Sequence, residues 1–305
     1  GNLTVGGTGK TPVVDFLLDL AEKNNLKAAV LTRGYGRQSN KNLKVASTHS
    51  AQDAGDEPLW LARRHPEAQI IVGADRVAAA PLATHPDVFI LDDGFQHYRL
   101  HRDFDVVVID ATTPIWKYLP LPFGRARESW LGLKRADLVV ISKANQASPE
   151  VLRALKEKVK SLIGPNGRLV LAQIRFKQMR PCDGRVEGFD KTHRFYLASG
   201  IGNPWSFEEL VKTAGFEVVG HEKFRDHQAY TIQDIKRVEA LALELKADGI
   251  LITEKDAVKW EPLLKDGGLQ LRLPVGKCET ELAFFSETPT FRVEDIYGLV
   301  THKHN

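Results

Sequence analysis

The sequence predicts an α/β protein: a doubly wound, mostly parallel sheet with a second, smaller α/β domain. Three observations carry this. Short apolar runs rich in β-branched residues recur through the first 175 residues, near-continuous instead of alternating, as in strands covered on both faces. Helical patterns fall between several of them. A glycine-rich loop at the start, GNLTVGGTGKTP, runs straight into the first helical pattern, so the sheet is of the P-loop NTPase-like kind.

The elements follow in order. In PVVDFLLDLAEKNN, Val13, Phe16, Leu17 and Leu20 stand at i, i+3, i+4 and i+7, a helix with one buried face. Strands are expected at 28–32, 69–73, 87–93, 104–111, 136–143 and 168–174, with a helix over 149–163. Near residue 175 the character changes. The stretch 176–193 is polar, carries two glycines and a proline, and reads as a linker or exposed hairpin. Three more strands, HRFYLASGI, FEVVGHEKF and DGILITEKD, and helices around 205–214 and 231–247 build the second unit. A chain of 305 residues exceeds one average core, so the division is 1–175 for the nucleotide-binding core, 176–193 for the linker and 194–305 for the smaller domain.

Composition excludes several classes. With 43% apolar and 27% charged residues the chain is an ordinary globular protein, and a net charge of +3 gives no argument for nucleic acid. Cys182 and Cys278 stand far apart with no Cys-x-x-Cys partner, so neither a disulfide framework nor a zinc site is indicated, and a reducing cytoplasm fits. Within the given residues no apolar run is long enough to span a membrane and no signal-peptide pattern occurs, and both statements apply to these residues alone. The sequence begins on the loop, without methionine or a preceding strand, and is expected to lack its first strand and a membrane-facing N-terminal segment.

The opening loop departs from Gly-x-x-x-x-Gly-Lys-[Ser/Thr] by one residue, with Thr4 where the first glycine belongs. Residues Thr4, Val5, Gly6, Gly7, Thr8, Gly9, Lys10 and Thr11 still form a phosphate cradle. Glycines let backbone N–H groups turn inward at a helix N-terminus, Lys10 reaches the terminal phosphates, and the Thr11 hydroxyl suits Mg²⁺. Asp92 and Asp93 end an apolar strand, where a phosphoryl-transfer site needs its metal carboxylates. Asp56 and Glu57 stand just ahead of a helix, Arg76 follows a strand, Arg125, Arg127 and Glu128 share a loop, and Asp226 precedes His227. Spacing alone gives none of these a catalytic role.

Three classes fit a phosphate loop: a GTPase, a kinase for a small or lipid-like acceptor, and a nucleotide-switched binding module. A GTPase wants Asp-x-x-Gly after the metal strand, yet Phe95 stands three after Asp92. Its Asn-Lys-x-Asp survives only as Ser142-Lys143-Ala144-Asn145.

Taken together, the stretches GNLTVGGTGKTP, LTRGYGR, GDEP, GADR, LDDGFQHYRLHRD, LPFGRARES, ASGIGNPWSF, FRDHQAYT and ITEKDAVK resemble the tetraacyldisaccharide 4'-kinases, or lipid A 4'-kinases, of Gram-negative bacteria. They run in family order from residue 1 to about 260. The family loop reads Thr-Val-Gly-Gly-x-Gly-Lys-Thr, which accounts for Thr4. The resemblance implies ATP- and Mg²⁺-dependent phosphorylation of the 4'-hydroxyl of a tetraacylated glucosamine disaccharide 1-phosphate, giving lipid IVA. It also implies peripheral attachment at the cytoplasmic face of the bacterial inner membrane, through an N-terminal apolar segment and a basic surface. Here Arg125, Arg127, Lys134 and Arg135 are the candidates for that surface. By the same resemblance Asp56 is the general base and His227 its partner, where family members often read Asp-His-His and this chain has Asp226-His227-Gln228. Lys10, Arg76 and Arg127 serve the transferring phosphate. Thr11, Asp92, Asp93 and Glu128 form the metal shell. For ITEKDAVK, a nucleotide-proximal loop and a structural strand end both fit.

Overall fold

The computed structural model describes residues 1–185, 189–265, 268–285 and 292–301. Its strands are β1 (Ala28–Thr32), β2 (Leu43–Val45), β3 (Gln69–Val72), β4 (Val88–Leu91), β5 (Val106–Asp110), β6 (Leu138–Ser142), β7 (Arg168–Pro181), β8 (Arg194–Ser199), β9 (Glu217–Lys223), β10 (Gly249–Thr253) and β11 (Val275–Phe285). The α-helices are α1 (Lys10–Lys23), α2 (Ala51–Ala54), α3 (Asp56–Arg64), α4 (Arg76–Ala79), α5 (Pro149–Lys160), α6 (Pro204–Thr213), α7 (Ile232–Glu244), α8 (Glu254–Lys265) and α9 (Ile296–Thr301).

The strands form two sheets, in the orders β2-β3-β1-β4 and β5-β6-β7-β11-β10-β8-β9. Pairing is parallel throughout except for β2 with β3 and β7 with β11, so the mostly parallel α/β expectation holds. One sheet was expected for the first half, and the structure divides those strands between two. The opening residues lie along β5: Asn2 bridges Val108 in parallel, and Val108 N–H donates to Gly1 O at 2.8 Å.

Residue 175 falls inside β7. The last part of that strand, residues 176–181, belongs to the stretch expected as a linker and pairs antiparallel with β11, while 186–188 lie outside the described residues. The polar composition of 176–181 misled the reading because this part of the strand has exposed and half-buried positions and is held by its ladder. By contrast β1 and β6 are buried along their whole length, which is why their β-branched runs were readable.

The C-terminal ends of the parallel strands gather the site. Asp92 and Asp93 follow β4, Asp75 caps α4 after β3, Ser142 closes β6, and the glycine loop crosses above them into α1. Open α/β sheets bind ligands at this edge.

Candidate active site

The glycine loop is pinned on two sides. Val5 N–H donates to Arg125 O at 2.8 Å, Arg127 N–H donates to Leu3 O at 2.7 Å, and Thr4 bridges Ala126. From below, the buried Ser142 hydroxyl donates to Thr8 O at 2.8 Å, and Asn2 Nδ2 donates to Thr8 Oγ1 at 2.9 Å. Gly9 caps α1 at φ 87°, a left-handed conformation that a side chain resists, and frees the first-turn N–H groups of α1 for an anion.

Asp93 is the hub on the strand side. Arg127 grips its carboxylate with two nitrogens at 2.6 and 2.8 Å, Lys10 Nζ stands 3.5 Å away, and Arg76 donates to its backbone carbonyl at 3.2 Å. Burial pushes this carboxyl up, but Arg127 and Lys10 overcome that and hold it well below the usual carboxylate range. Asp92 is different. Its carboxylate accepts from Thr32 at 3.0 Å, and burial, followed by the nearby charge of Glu57, raises its pKa. Glu128 sits one step back, held by Arg135 at 2.9 Å and by Gln96, whose amide also donates to Asn2 O.

Opposite the loop, Gly55 turns the chain into α3, so Asp56 and Glu57 are the first two residues of that helix, where acidic groups meet the positive end of the helix dipole. Asp56 Oδ2 lies 3.0 Å from His227 Nδ1 and 2.9 Å from Lys259 Nζ. Burial raises its pKa, yet these two partners outweigh burial and bring it below the ordinary value. The same contact, chiefly the hydrogen bond to Asp56, raises the pKa of His227. Glu57 pairs with Lys255 and accepts from Thr11, with Lys10 near enough to stabilise its charge; despite burial its pKa is lowered. A carboxylate cluster therefore faces the phosphate loop from both sides.

Lys255 and Lys259 were not among the residues singled out by sequence. They sit on one face of α8, four apart, and this resolves ITEKDAVK: the stretch ends β10 and opens the helix that supplies cations to Asp56 and Glu57. Behind them Asp256 is wholly buried and accepts from Tyr230 at 2.7 Å, Thr253 at 2.6 Å and the Gly200 N–H at 3.2 Å. That network ties the SGIGNP turn and the His227 loop to α8.

The sequence model of the family described as tetraacyldisaccharide-1-P 4'-kinase (LpxK) matches residues 1–290. The chain belongs to this family. A tetraacyldisaccharide 4'-kinase of Bdellovibrio bacteriovorus is 38% identical over 274 residues, 87% of this chain and 80% of that protein. One from Geobacter metallireducens is 38% identical over 282 residues, 88% of this chain and 80% of that protein. Among solved structures, LpxK from Aquifex aeolicus in complex with ATP superposes with a TM-score of 0.73 at 27% identity, covering 99% of this chain and 86% of that one.

The residues present fit a magnesium nucleotide. The first-turn N–H groups of α1, which no side chain caps, and Lys10 suit phosphates, and Thr11 with Asp92 and Glu57 offers oxygen donors of the hard kind Mg²⁺ takes. Two buried nitrogens, Arg76 Nε and Arg127 Nε, have no hydrogen-bond partner among the described residues, leaving donor capacity beside Asp93 for a phosphoryl oxygen.

Proposed function

We propose that this chain is an ATP-dependent tetraacyldisaccharide 4'-kinase, transferring the γ-phosphoryl group of ATP to the 4'-hydroxyl of tetraacyldisaccharide 1-phosphate to give lipid IVA. The observation that carries this reading is the carboxylate of Asp56, clasped by His227 and Lys259 one residue before a glutamate that reaches Thr11 of the phosphate loop. In this reading Asp56 is an ionised base beside the terminal phosphate. Family membership supports a kinase over a GTPase.

In this reading the acceptor hydroxyl gives its proton to Asp56 as its oxygen bonds to phosphorus and the bond to the ADP oxygen breaks. A base with a lowered pKa is weak, but it is ionised at neutral pH, and a loose transition state needs the proton only late. His227 and Lys259 hold the carboxylate in place. Lys10, Arg76 and Arg127 offset charge on the transferring group, with Asp93 organising Lys10 and Arg127. Thr11, Asp92 and Glu57 would hold Mg²⁺, which when bound neutralises phosphate charge; Asp93 and Glu128 support that shell from behind.

The acceptor, with four acyl chains, resides in a membrane, so we place the enzyme at the cytoplasmic face of the bacterial inner membrane as a peripheral protein. No helix among the described residues is long and apolar enough to cross a bilayer. The test is ³²P transfer from ATP to tetraacyldisaccharide 1-phosphate in detergent, with GTP and simple sugars as controls. Lipid-dependent transfer from ATP is expected. Equal transfer from GTP, or to the sugars, would overturn the reading.

A further inference from the structure

The motif LPFGRARES is only half used by the site: Arg127 and Glu128 serve it, whereas Leu121, Pro122 and Phe123 are exposed and make none of the site's contacts described above. The loop that carries them, residues 114–126, exposes Ile115, Trp116, Leu119, Leu121 and Phe123 within nine residues, with Phe123 82% and Trp116 60% exposed. Five large apolar side chains exposed on one short loop mark an interaction surface, since single exposed apolar residues are ordinary but a cluster is not.

The donors of its backbone need no partner from outside the loop. From Leu119 to Ala126 every N–H is either paired inside the loop or missing because the residue is proline: Leu119 to Trp116 O, Leu121 to Ala126 O, Phe123 and Gly124 to Pro120 O, Arg125 to Lys117 O, and Ala126 to Leu119 O. Unpaired N–H groups in hydrocarbon cost several kcal/mol each, so pairing them meets the donor half of what an inserting segment needs, and at headgroup depth water still reaches the carbonyls. The loop is also anchored from within. Tyr118 is buried, stacks on Trp130 at 4.6 Å and donates to Asp110 O, which fixes the base while the apolar tips project.

Charge selects the occupant. Residues 111–127 contain no carboxylate and three cations, of which Lys117 and Arg125 form no ion pair among the described residues; Lys134 nearby in sequence is likewise exposed and unpaired. Tryptophan, phenylalanine and leucine rimmed by lysine and arginine match an anionic bilayer surface, where rings sit at headgroup depth and cations meet lipid phosphates.

We propose that residues 114–126 form a wedge that inserts into an anionic bilayer and sets the phosphate loop at its surface. The proposal rests on the peripheral reading above and gives it a structural element. The loop reports directly on the site, since Arg125 O holds Val5, Ala126 bridges Thr4 and Arg127 grips Asp93. Insertion therefore places the nucleotide within one loop's thickness of the membrane, where the acceptor's sugar lies.

Cys182 and Cys278 are buried, so a cysteine introduced as Phe123→Cys can be labelled selectively with an environment-sensitive dye, with Leu245→Cys on the far half as reference. On vesicles of phosphatidylethanolamine and phosphatidylglycerol, the dye at 123 is expected to shift blue and to be quenched by brominated lipids, and the reference dye to do neither. The double variant Trp116→Ser, Phe123→Ser is expected to lose about tenfold in vesicle partitioning, in line with apolar burial at an interface, while keeping transfer to detergent-dispersed acceptor. Co-sedimentation without a change at 123, or unaltered partitioning of the double variant, would sink the wedge. So would a dye at 123 already shielded without lipid in a protein that sediments as a dimer, which would make the loop a self-association surface. Because transfer in detergent is measured separately, failure of the wedge and failure of the kinase reading are distinct results.

Discussion

Two residues of the site, Asp93 at φ 51° and His227 at φ 59°, adopt the left-handed conformation that non-glycine residues seldom take. Such strain persists where the surroundings over-determine it, and here both side chains are fixed by charged partners. The division of labour around them makes separable predictions. Asp56→Asn is expected to lower turnover by roughly 10²- to 10⁴-fold, the range general bases contribute, with ATP affinity little changed. Lys10→Ala is expected to weaken ATP binding as well, because Lys10 belongs to the phosphate cradle; equal ATP-binding defects in the two variants, measured by titration, would contradict the assignment. Lys259→Met tests the positioning role by pH. Lys259 and His227 hold the pKa of Asp56 below its ordinary value, so activity falls only as pH drops through that lowered value. Removing Lys259 raises it, and the acid limb of the kcat/KM profile is expected to move to higher pH; a limb that stays put means another group sets it. The lysine was illegible in sequence because it meets Asp56 across 203 positions, and in a chain with 42 lysines and arginines a pair spaced four apart on a helix carries little information alone.

At the scale of elements, the helix α3 shows how a local rule serves the site. Gly55 stands before it at φ 90° and ψ 152°, a region that essentially only glycine enters, and an alanine Cβ there would lie 3.0 Å from Tyr35 O. Gly55→Ala is expected to cost about 1–3 kcal/mol of stability and to displace Asp56, lowering Tm and turnover together. A variant with unchanged Tm and turnover would show that the turn tolerates rearrangement. The glycine loop, its helix and the aspartates after β4 were readable because each is a short contiguous pattern with its own chemistry. β11 was not. Lys277, Glu279, Thr280 and Glu281 interrupt its apolar residues and most of its positions are only half-buried, so its place is given by antiparallel pairing to β7, a contact between segments about a hundred residues apart.

Across the whole molecule, the site is assembled from both halves of the chain: Lys10, Asp56 and Asp93 from the first, His227, Lys255 and Lys259 from the second. The packing does the same. β7 pairs with β6 on one side and β11 on the other, Phe16 of α1 meets Phe284 of β11 edge to face at 4.6 Å, and Arg64 of α3 bridges Asp15 and Glu254. Tyr297 of α9 donates to Leu17 O, and its ring joins the core cluster that contains Val13, Leu59, Val140 and Val258. A core shared in this way leaves the first 175 residues without the cover for α1 and α3. Expressed alone, residues 1–175 are expected to stay unfolded or aggregate, and the whole chain to unfold in one calorimetric transition whose van't Hoff and calorimetric enthalpies agree. A dispersed NMR spectrum from that fragment, or two separate transitions in the whole chain, would instead mean that the halves fold independently. In that case His227 and Lys259 would reach Asp56 by docking of two bodies, and the acceptor would enter a cleft able to open between them.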